Sequence, residues 1–204
     1  MQAFFRLCVF RHVRYLARFL RVRLRMGGGQ LDEHRFKGWM ETHVEEVLRS
    51  VGVGSGQTVL DFGCGAGACA LAAARLVGPG GRVYAVDMKE DLLKALSRRA
   101  DFEGLSHLHT LLAEGSRGPA GIEPGTVDIA LLYDVLQLVD QKEELLNCLR
   151  RALKPGGVLS VFPMHLGEEK LKELLARVGG FSLRCQQGLL YNYVADRPRG
   201  QAAP

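Results

Sequence analysis

"VLDFGCGAGACAL", residues Val59–Leu71, runs from an apolar strand pattern through three alternating glycines into an alanine-rich helix pattern. Glycine lacks Cβ, so such a loop turns sharply and lets the backbone approach a ligand closely. The flanking chain says what kind of sheet carries it. Strand patterns at Thr58–Phe62, Arg82–Val86, Leu105–Leu112, Val127–Tyr133 and Val158–Phe162 alternate with helix patterns. These helices cover about Ala68–Val77, Glu90–Asp101, Gln141–Leu153 and Glu168–Val178. Nearly continuous apolar strands separated by helix-length segments predict a parallel sheet covered on both faces, an open doubly wound α/β fold. "FSLRCQQGLLYNYVADRP" reads instead as two strands with a short turn near Gln186–Gly188, so an antiparallel pair closes a mainly parallel sheet. Asp140 stands three residues before Glu143 and is the expected N-cap of a capping box. "LKPGG", Leu153–Gly157, is expected to stop that helix and turn the chain into the fifth strand.

In an open sheet of this kind, ligands bind outside the carboxyl ends of the strands, at the switch point beside the first strand. Gly63, Gly65 and Gly67 fall there. Two ligand classes compete for the loop. Gly63, Gly65 and Ala68 satisfy G-x-G-x-x-A, and Asp87 about 20 residues on suits a ribose, as in an NAD-dependent oxidoreductase. Asp61, two residues before Gly63, weighs against a pyrophosphate. At ~5 Å and an effective dielectric near 20 the repulsion is roughly 3 kcal/mol per ligand charge. A ligand with an ammonium group and a sulfonium centre is favoured instead. S-adenosylmethionine has both and no phosphate.

Residues 57–195 resemble the class I S-adenosylmethionine-dependent methyltransferases. The likeness rests on "VLDFGCGAG", "VYAVDM", "LLAEGS", "VDIALLYDVLQLV" and "LKPGGVLSV", in this order and spacing. It implies a Rossmann-like sheet of seven strands. It also implies that Asp61, Gly63, Gly65 and Gly67 hold the methionine portion of the cofactor. Asp87 would take the ribose hydroxyls, Met88 would pack on the adenine, and Glu114 would sit near the adenine amino group. Ala113 replaces the glycine common before that acid.

A sulfonium-borne methyl group is already electrophilic, so the protein's task is mainly to align a nucleophile. A base is needed only when that nucleophile arrives protonated. After the fourth strand the chain reads Tyr133-Asp134-Val135-Leu136-Gln137, without the Asn/Asp-Pro-Pro-Tyr pattern of amino-directed nucleic-acid methyltransferases. Tyr133 and Asp134 are candidates to face the transferred methyl, and His165 in "FPMHL" is a candidate base. Asp134 could equally cap the following turn, and His165 could be a surface histidine. Asp128 reads as a local cap or pair, and His107 and His109 as partly exposed neighbours on one side of the third strand. His34, Phe36, Trp39 and His43 would roof the acceptor, with Phe162, Met164, Tyr191 and Tyr193 nearby. This favours a small apolar or aromatic acceptor. A non-catalytic adaptor that keeps the cofactor pocket is a third reading.

Length and composition fit one domain: 204 residues, 47% hydrophobic. Five scattered cysteines without a C-x-x-C pair indicate neither a metal site nor a disulfide framework. They suit a reducing, cytoplasmic setting. Of 27 basic residues seven are arginines within residues 1–26, which contain no acid, so the rest of the chain is nearly neutral. This disfavours a nucleic-acid partner. As a helix at roughly 100° per residue, Arg11, Arg14, Arg18, Arg21 and Arg25 would form a stripe about 80° wide. A basic stripe beside a broad apolar face suits peripheral binding to an anionic membrane surface. Packing on the chain's own domain, mitochondrial targeting and RNA binding stay open for it. Too many arginines interrupt the arm for it to span a bilayer. Gly27–Gly29 is expected to be a hinge, and a helix pattern follows over Gly38–Val51. Residues 1–29 thus form an arm, residues 30–197 the domain, and residues 198–204 a disordered tail. No oligomeric state follows from the sequence.

Overall fold

The computed structural model describes residues 32–113 and 121–196. The arm, Glu114 and the tail lie outside the described residues. The chain begins with helices α1 (Glu33–Thr42) and α2 (Val44–Val51). It continues through β1 (Thr58–Phe62), α3 (Ala68–Val77), β2 (Arg82–Asp87), α4 (Glu90–Phe102), β3 (Leu108–Leu112) and β4 (Val127–Tyr133). A short 3₁₀ turn, Leu136–Leu138, leads to α5 (Lys142–Ala152), β5 (Leu153–Phe162), α6 (Glu168–Val178), β6 (Phe181–Gln187) and β7 (Leu190–Ala195).

Seven strands form one sheet in the order β3-β2-β1-β4-β5-β7-β6. β1 pairs in parallel with β2 and β4, whereas β7 runs antiparallel to β5 and β6. Apolar residues on alternate sides of the strands feed two cores. One side packs Leu60, Leu132, Leu159 and Val161 against Leu145, Leu149, Leu171 and Leu175 of α5 and α6. The other packs Val59, Val83, Ala85 and Leu131 against Leu48, Leu71, Ala74 and Leu96 of α2, α3 and α4. The alanines of α3 allow this helix to lie close on the sheet, and Ala70, Ala73 and Ala74 are fully buried. A third cluster joins Phe36, Met40 and Val47 to Phe162, Met164 and Leu190. It lays α1 on the carboxyl end of β5.

Local departures from the sequence pattern have identifiable causes. The expected helix over Gly38–Val51 begins earlier, at Glu33, where Asp32 accepts the His34 N–H at 2.8 Å. It breaks at His43, whose φ of −128° is not helical. Leu105 does not begin β3. Its N–H donates to the Ala100 carbonyl at 2.9 Å and closes the end of α4. Gln141, not Asp140, is the N-cap of α5, and no side chain caps it. β5 begins at Leu153, with a register irregularity opposite Val127–Ile129. There Asp128 accepts from Thr58 N at 2.8 Å and Lys154 Nζ at 2.7 Å, a local pairing as expected. His107 precedes β3 and hydrogen-bonds to the Ala74 carbonyl at 2.8 Å, whereas His109 is exposed on β3.

Candidate active site

β1 ends where β4 parts from β2, so the glycine loop after it opens into the gap at the sheet's switch point. The N–H groups of Gly63 and Cys64 both donate to the Val86 carbonyl, at 2.8 and 2.9 Å, pinning the loop to the end of β2. Gly63, Gly65 and Gly67 all have positive φ, of 78°, 52° and 82°. Their surroundings differ. A Cβ on Gly63 would lie 2.5 Å from Val135 Cγ2, and one on Gly67 would lie 2.3 Å from Leu96 Cδ1. A Cβ on Gly65 would meet nothing within 4 Å. Gly63 and Gly67 are therefore required by packing as well as conformation, and Gly65 leaves space for a ligand.

The cleft beside this loop has a volume of about 580 Å³. Phe62, Gly63, Gly65, Asp87, Met88 and Ala113 form one part of its wall; Asp134, Val135, Leu138 and Val139 are among those forming the other. Asp87 holds two backbone N–H groups: Gly65 N donates to Oδ2 at 2.8 Å and Lys89 N to Oδ1 at 2.9 Å. An ionised carboxylate has further lone pairs, so Asp87 can still receive two hydroxyls. Met88 is 67% exposed and Leu138 76% exposed, two large apolar side chains at the cleft. Such groups suit a flat apolar ring.

Asp61 is not on the cleft wall but buried beneath the loop, 3% exposed. Its Oδ2 has no hydrogen-bond partner among the described residues. Burial pushes its carboxyl up to about 7, with the neighbouring Asp87 charge adding and the Ala70 backbone N–H opposing. A buried acid that lacks a partner is expensive. A ligand cation above the loop would supply the missing charge. Burial also pushes the thiols of Cys64 and Cys69 well above the usual range, so neither is a ready nucleophile.

The acceptor-side candidates separate. Asp134 lines the cleft, in a left-handed conformation with φ 53°. Its Oδ1 accepts from Gln137 Nε2 at 2.7 Å, and its Oδ2 pairs with Lys37 Nζ of α1. Asp134 in turn raises the Lys37 ammonium above its ordinary value. Lys37 carries no motif in the sequence; only the fold brings it to Asp134, 97 residues away. Tyr133 lies on the other side of the sheet, where its hydroxyl hydrogen-bonds the buried Ser160 at 2.8 Å. With Met40, Val44, Val47 and Cys69 it lines a small apolar cavity of about 40 Å³. His165 is exposed and outside the cleft, with φ 61°, and its N–H donates to Glu33 Oε2 at 3.0 Å. Gly67 also lies outside the cleft wall, turned against Leu96.

The residues expected to roof the acceptor pack together beside the cleft, and none of them lines it. Phe36 packs on Phe162 with ring centroids 5.4 Å apart, and Trp39 stacks on His43 at 5.2 Å. Tyr191 and Tyr193 belong elsewhere. They point into the core under α5 and α6, where the Tyr191 hydroxyl donates to Glu168 at 2.7 Å. Alternation along β7 sends both to the face opposite α1. Among the described residues no group of three or more His, Cys, Asp or Glu could hold a metal ion.

A doubly wound sheet with a glycine loop, a strand-end acid and a buried acid with one orphaned oxygen suits a nucleoside that carries an amino-acid cation. Residues 54–180 match the family described as a methyltransferase domain, and the chain belongs to that family. It is similar to 2-phytyl-1,4-naphtoquinone methyltransferase of Trichormus variabilis, 32% identical over 135 residues, which are 66% of this chain and 56% of that protein. It is also 30% identical over 156 residues to a ubiquinone/menaquinone biosynthesis C-methyltransferase of Pseudomonas entomophila, covering 72% of this chain and 60% of the relative. The chain spans about half the length of the curated relatives it matches. A solved SAM-dependent methyltransferase from Aquifex aeolicus shares the fold, with a TM-score of 0.64 at 22% identity, covering 81% of this chain and 97% of that one. The loop, Asp87 and Asp61 fit S-adenosylmethionine, whose ammonium would bring a cation toward the orphaned carboxyl oxygen.

Proposed function

We propose that the protein transfers a methyl group from S-adenosylmethionine to a small apolar, aromatic acceptor of quinone-like size. The observation that carries this reading is Asp61, buried beneath a glycine loop with one carboxyl oxygen unpartnered. A pyrophosphate would meet that acid unfavourably, and an ammonium would stabilise its ionised form. Gly65 leaves room for the methionine portion, Asp87 receives the ribose hydroxyls, and Met88 covers the adenine. Glu114 is proposed near the adenine amino group.

When bound, S-adenosylmethionine supplies an electrophilic methyl on sulfur, and the pair of the broken S–C bond stays there. The chain's own work is alignment and proton handling. Asp134, on the cleft wall opposite the glycine loop, takes a proton from the acceptor as its lone pair bonds the methyl carbon. Tyr133 and His165 are given supporting places: the first steadies the floor beneath α1 through Ser160, and the second anchors α1 through Glu33.

The acceptor class draws on the apolar cleft residues Val135, Leu138 and Val139, and on relatives named a 2-phytyl-1,4-naphtoquinone methyltransferase and a ubiquinone/menaquinone biosynthesis C-methyltransferase. An acceptor of that kind resides at membranes, and the seven arginines of residues 1–26 are proposed to bring the domain to an anionic surface. No helix among the described residues is long and apolar enough to cross a membrane.

Calorimetry with S-adenosylhomocysteine and with NADH, on the wild type and Asp87→Ala, tests the cofactor. Wild-type protein is expected to bind S-adenosylhomocysteine, and Asp87→Ala to bind it at least tenfold more weakly. Tight NADH binding with no response to S-adenosylhomocysteine would sink the reading.

A further inference from the structure

Among the described residues, Asp134 and His165 are the two non-glycine residues with left-handed φ. They sit just beyond the carboxyl ends of β4 and β5, two strands that pair side by side. Left-handed backbone in a residue with a Cβ is strained and persists where surrounding contacts over-determine it. Here one helix supplies a contact to each. Glu33 Oε2 accepts the His165 N–H at 3.0 Å, and Lys37 Nζ pairs with Asp134 Oδ2. Glu33 and Lys37 are four residues apart, so they share a face of α1. Phe36 and Met40 seat the same helix on Phe162, Met164 and Leu190. α1 thus clasps both strand ends.

We propose that Lys37 is a positioning residue: its pairing with Asp134 sets that carboxylate on the cleft wall to receive a hydroxyl of an aromatic acceptor. The inference rests on the methyl-transfer reading and narrows its acceptor to one bearing O–H. Three contacts hold Asp134. Its N–H donates to the Phe162 carbonyl at 3.1 Å, Gln137 holds Oδ1, and Lys37 holds Oδ2. Each carboxylate oxygen retains a lone pair, so Asp134 accepts a further hydrogen bond and offers none. Its charge is already balanced by Lys37, so a cationic amine gains little there. A neutral hydroxyl, however, finds a fixed acceptor beside an apolar wall of Val135, Leu138 and Val139.

The test is calorimetric titration of 1-naphthol into the full-length protein saturated with S-adenosylhomocysteine. Affinity for 1-naphthol should fall tenfold or more in Lys37→Met, in Lys37→Gln and in Asp134→Asn. The Lys37→Met/Asp134→Asn double variant should fall no further, because both changes break one interaction. Lys37→Arg should stay within threefold of the wild type. S-adenosylhomocysteine affinity in the Lys37 variants should match the wild type, which a collapse of the fold would not permit. Equal 1-naphthol affinity in wild type and Lys37→Met overturns the role of Lys37 and leaves the methyl-transfer reading standing. So do losses that add in the double variant, or that S-adenosylhomocysteine binding shares. A wild-type protein that binds S-adenosylhomocysteine but not 1-naphthol overturns both the acceptor reading and this proposal.

Discussion

The two walls of the cleft are built by different means. On the cofactor wall, positions 61–67 and 87 are adjacent in sequence or in neighbouring strands, and backbone groups do most of the holding. Gly63, Cys64, Gly65 and Lys89 all direct N–H groups at Val86 or Asp87. On the acceptor wall the contact runs between distant side chains, Lys37 to Asp134. The acids differ accordingly. Asp61 is buried without a partner on one oxygen, whereas Asp134 is half-buried with a partner on each oxygen. A wall with an unanswered charge is prepared for a ligand that brings the opposite charge. A wall with its charge already balanced selects by shape and hydrogen bonding.

The largest expected effect lies at Asp61. Its folded-state pKa of about 7 exceeds the ordinary 3.8, so between those pH values the folded protein holds the extra proton. Stability of the ligand-free protein therefore falls as pH rises from about 4 to 7. A shift of this size corresponds to about 4 kcal/mol. Asp61→Asn should raise the melting temperature at pH 8 and flatten the pH dependence, as measured by scanning calorimetry without ligand. The same variant should bind S-adenosylhomocysteine more weakly. Wild-type affinity for it should fall as pH drops below 7, up to about tenfold per unit. A variant no more stable than wild type at pH 8 would break the contrast between the walls.

Next in size is the contrast within the glycine loop. Gly63→Ala places a Cβ 2.8 Å from Val135 Cβ, a stiff position at the start of the acceptor wall. Overpacking of this kind costs about 1–3 kcal/mol beyond the backbone strain. Gly65→Ala carries the strain alone, roughly 1–2 kcal/mol, because its Cβ meets open space. Chemical denaturation should rank Gly63→Ala below Gly65→Ala. Calorimetry should show weakened S-adenosylhomocysteine binding even where Gly65→Ala remains well folded. Equal stability of the two variants would remove the distinction between a packing glycine and a ligand-facing one.

Much of the cofactor wall could be read in the sequence because its signals are local. Thr58–Phe62, Ala68–Val77, Val127–Tyr133 and Glu168–Val178 form the expected elements, and the antiparallel pair closes the sheet. Where local pattern misled, a tertiary contact prevailed. Leu105 looked like strand but closes α4, and Asp140 looked like a cap but lines the cleft. Tyr191 and Tyr193 looked close to the acceptor, yet alternation along β7 sends them into the opposite core. Lys37 had no local signal at all. Its partner stands 97 residues away, and only the seating of Phe36 on Phe162 brings the two together. Position in a motif gave no sign that the missing Cβ of Gly67 makes room for Leu96.

Deuterated methyl transfer is the most direct test of the central claim. The full chain would be incubated with S-adenosylmethionine carrying a CD₃ group and with a chemically reduced 1,4-naphthoquinone, and the products analysed by mass spectrometry. The expected product is a CD₃-labelled naphthoquinol that disappears in Asp87→Ala and in Asp134→Asn. Protein that binds S-adenosylhomocysteine yet leaves this aromatic acceptor unlabelled would contradict it.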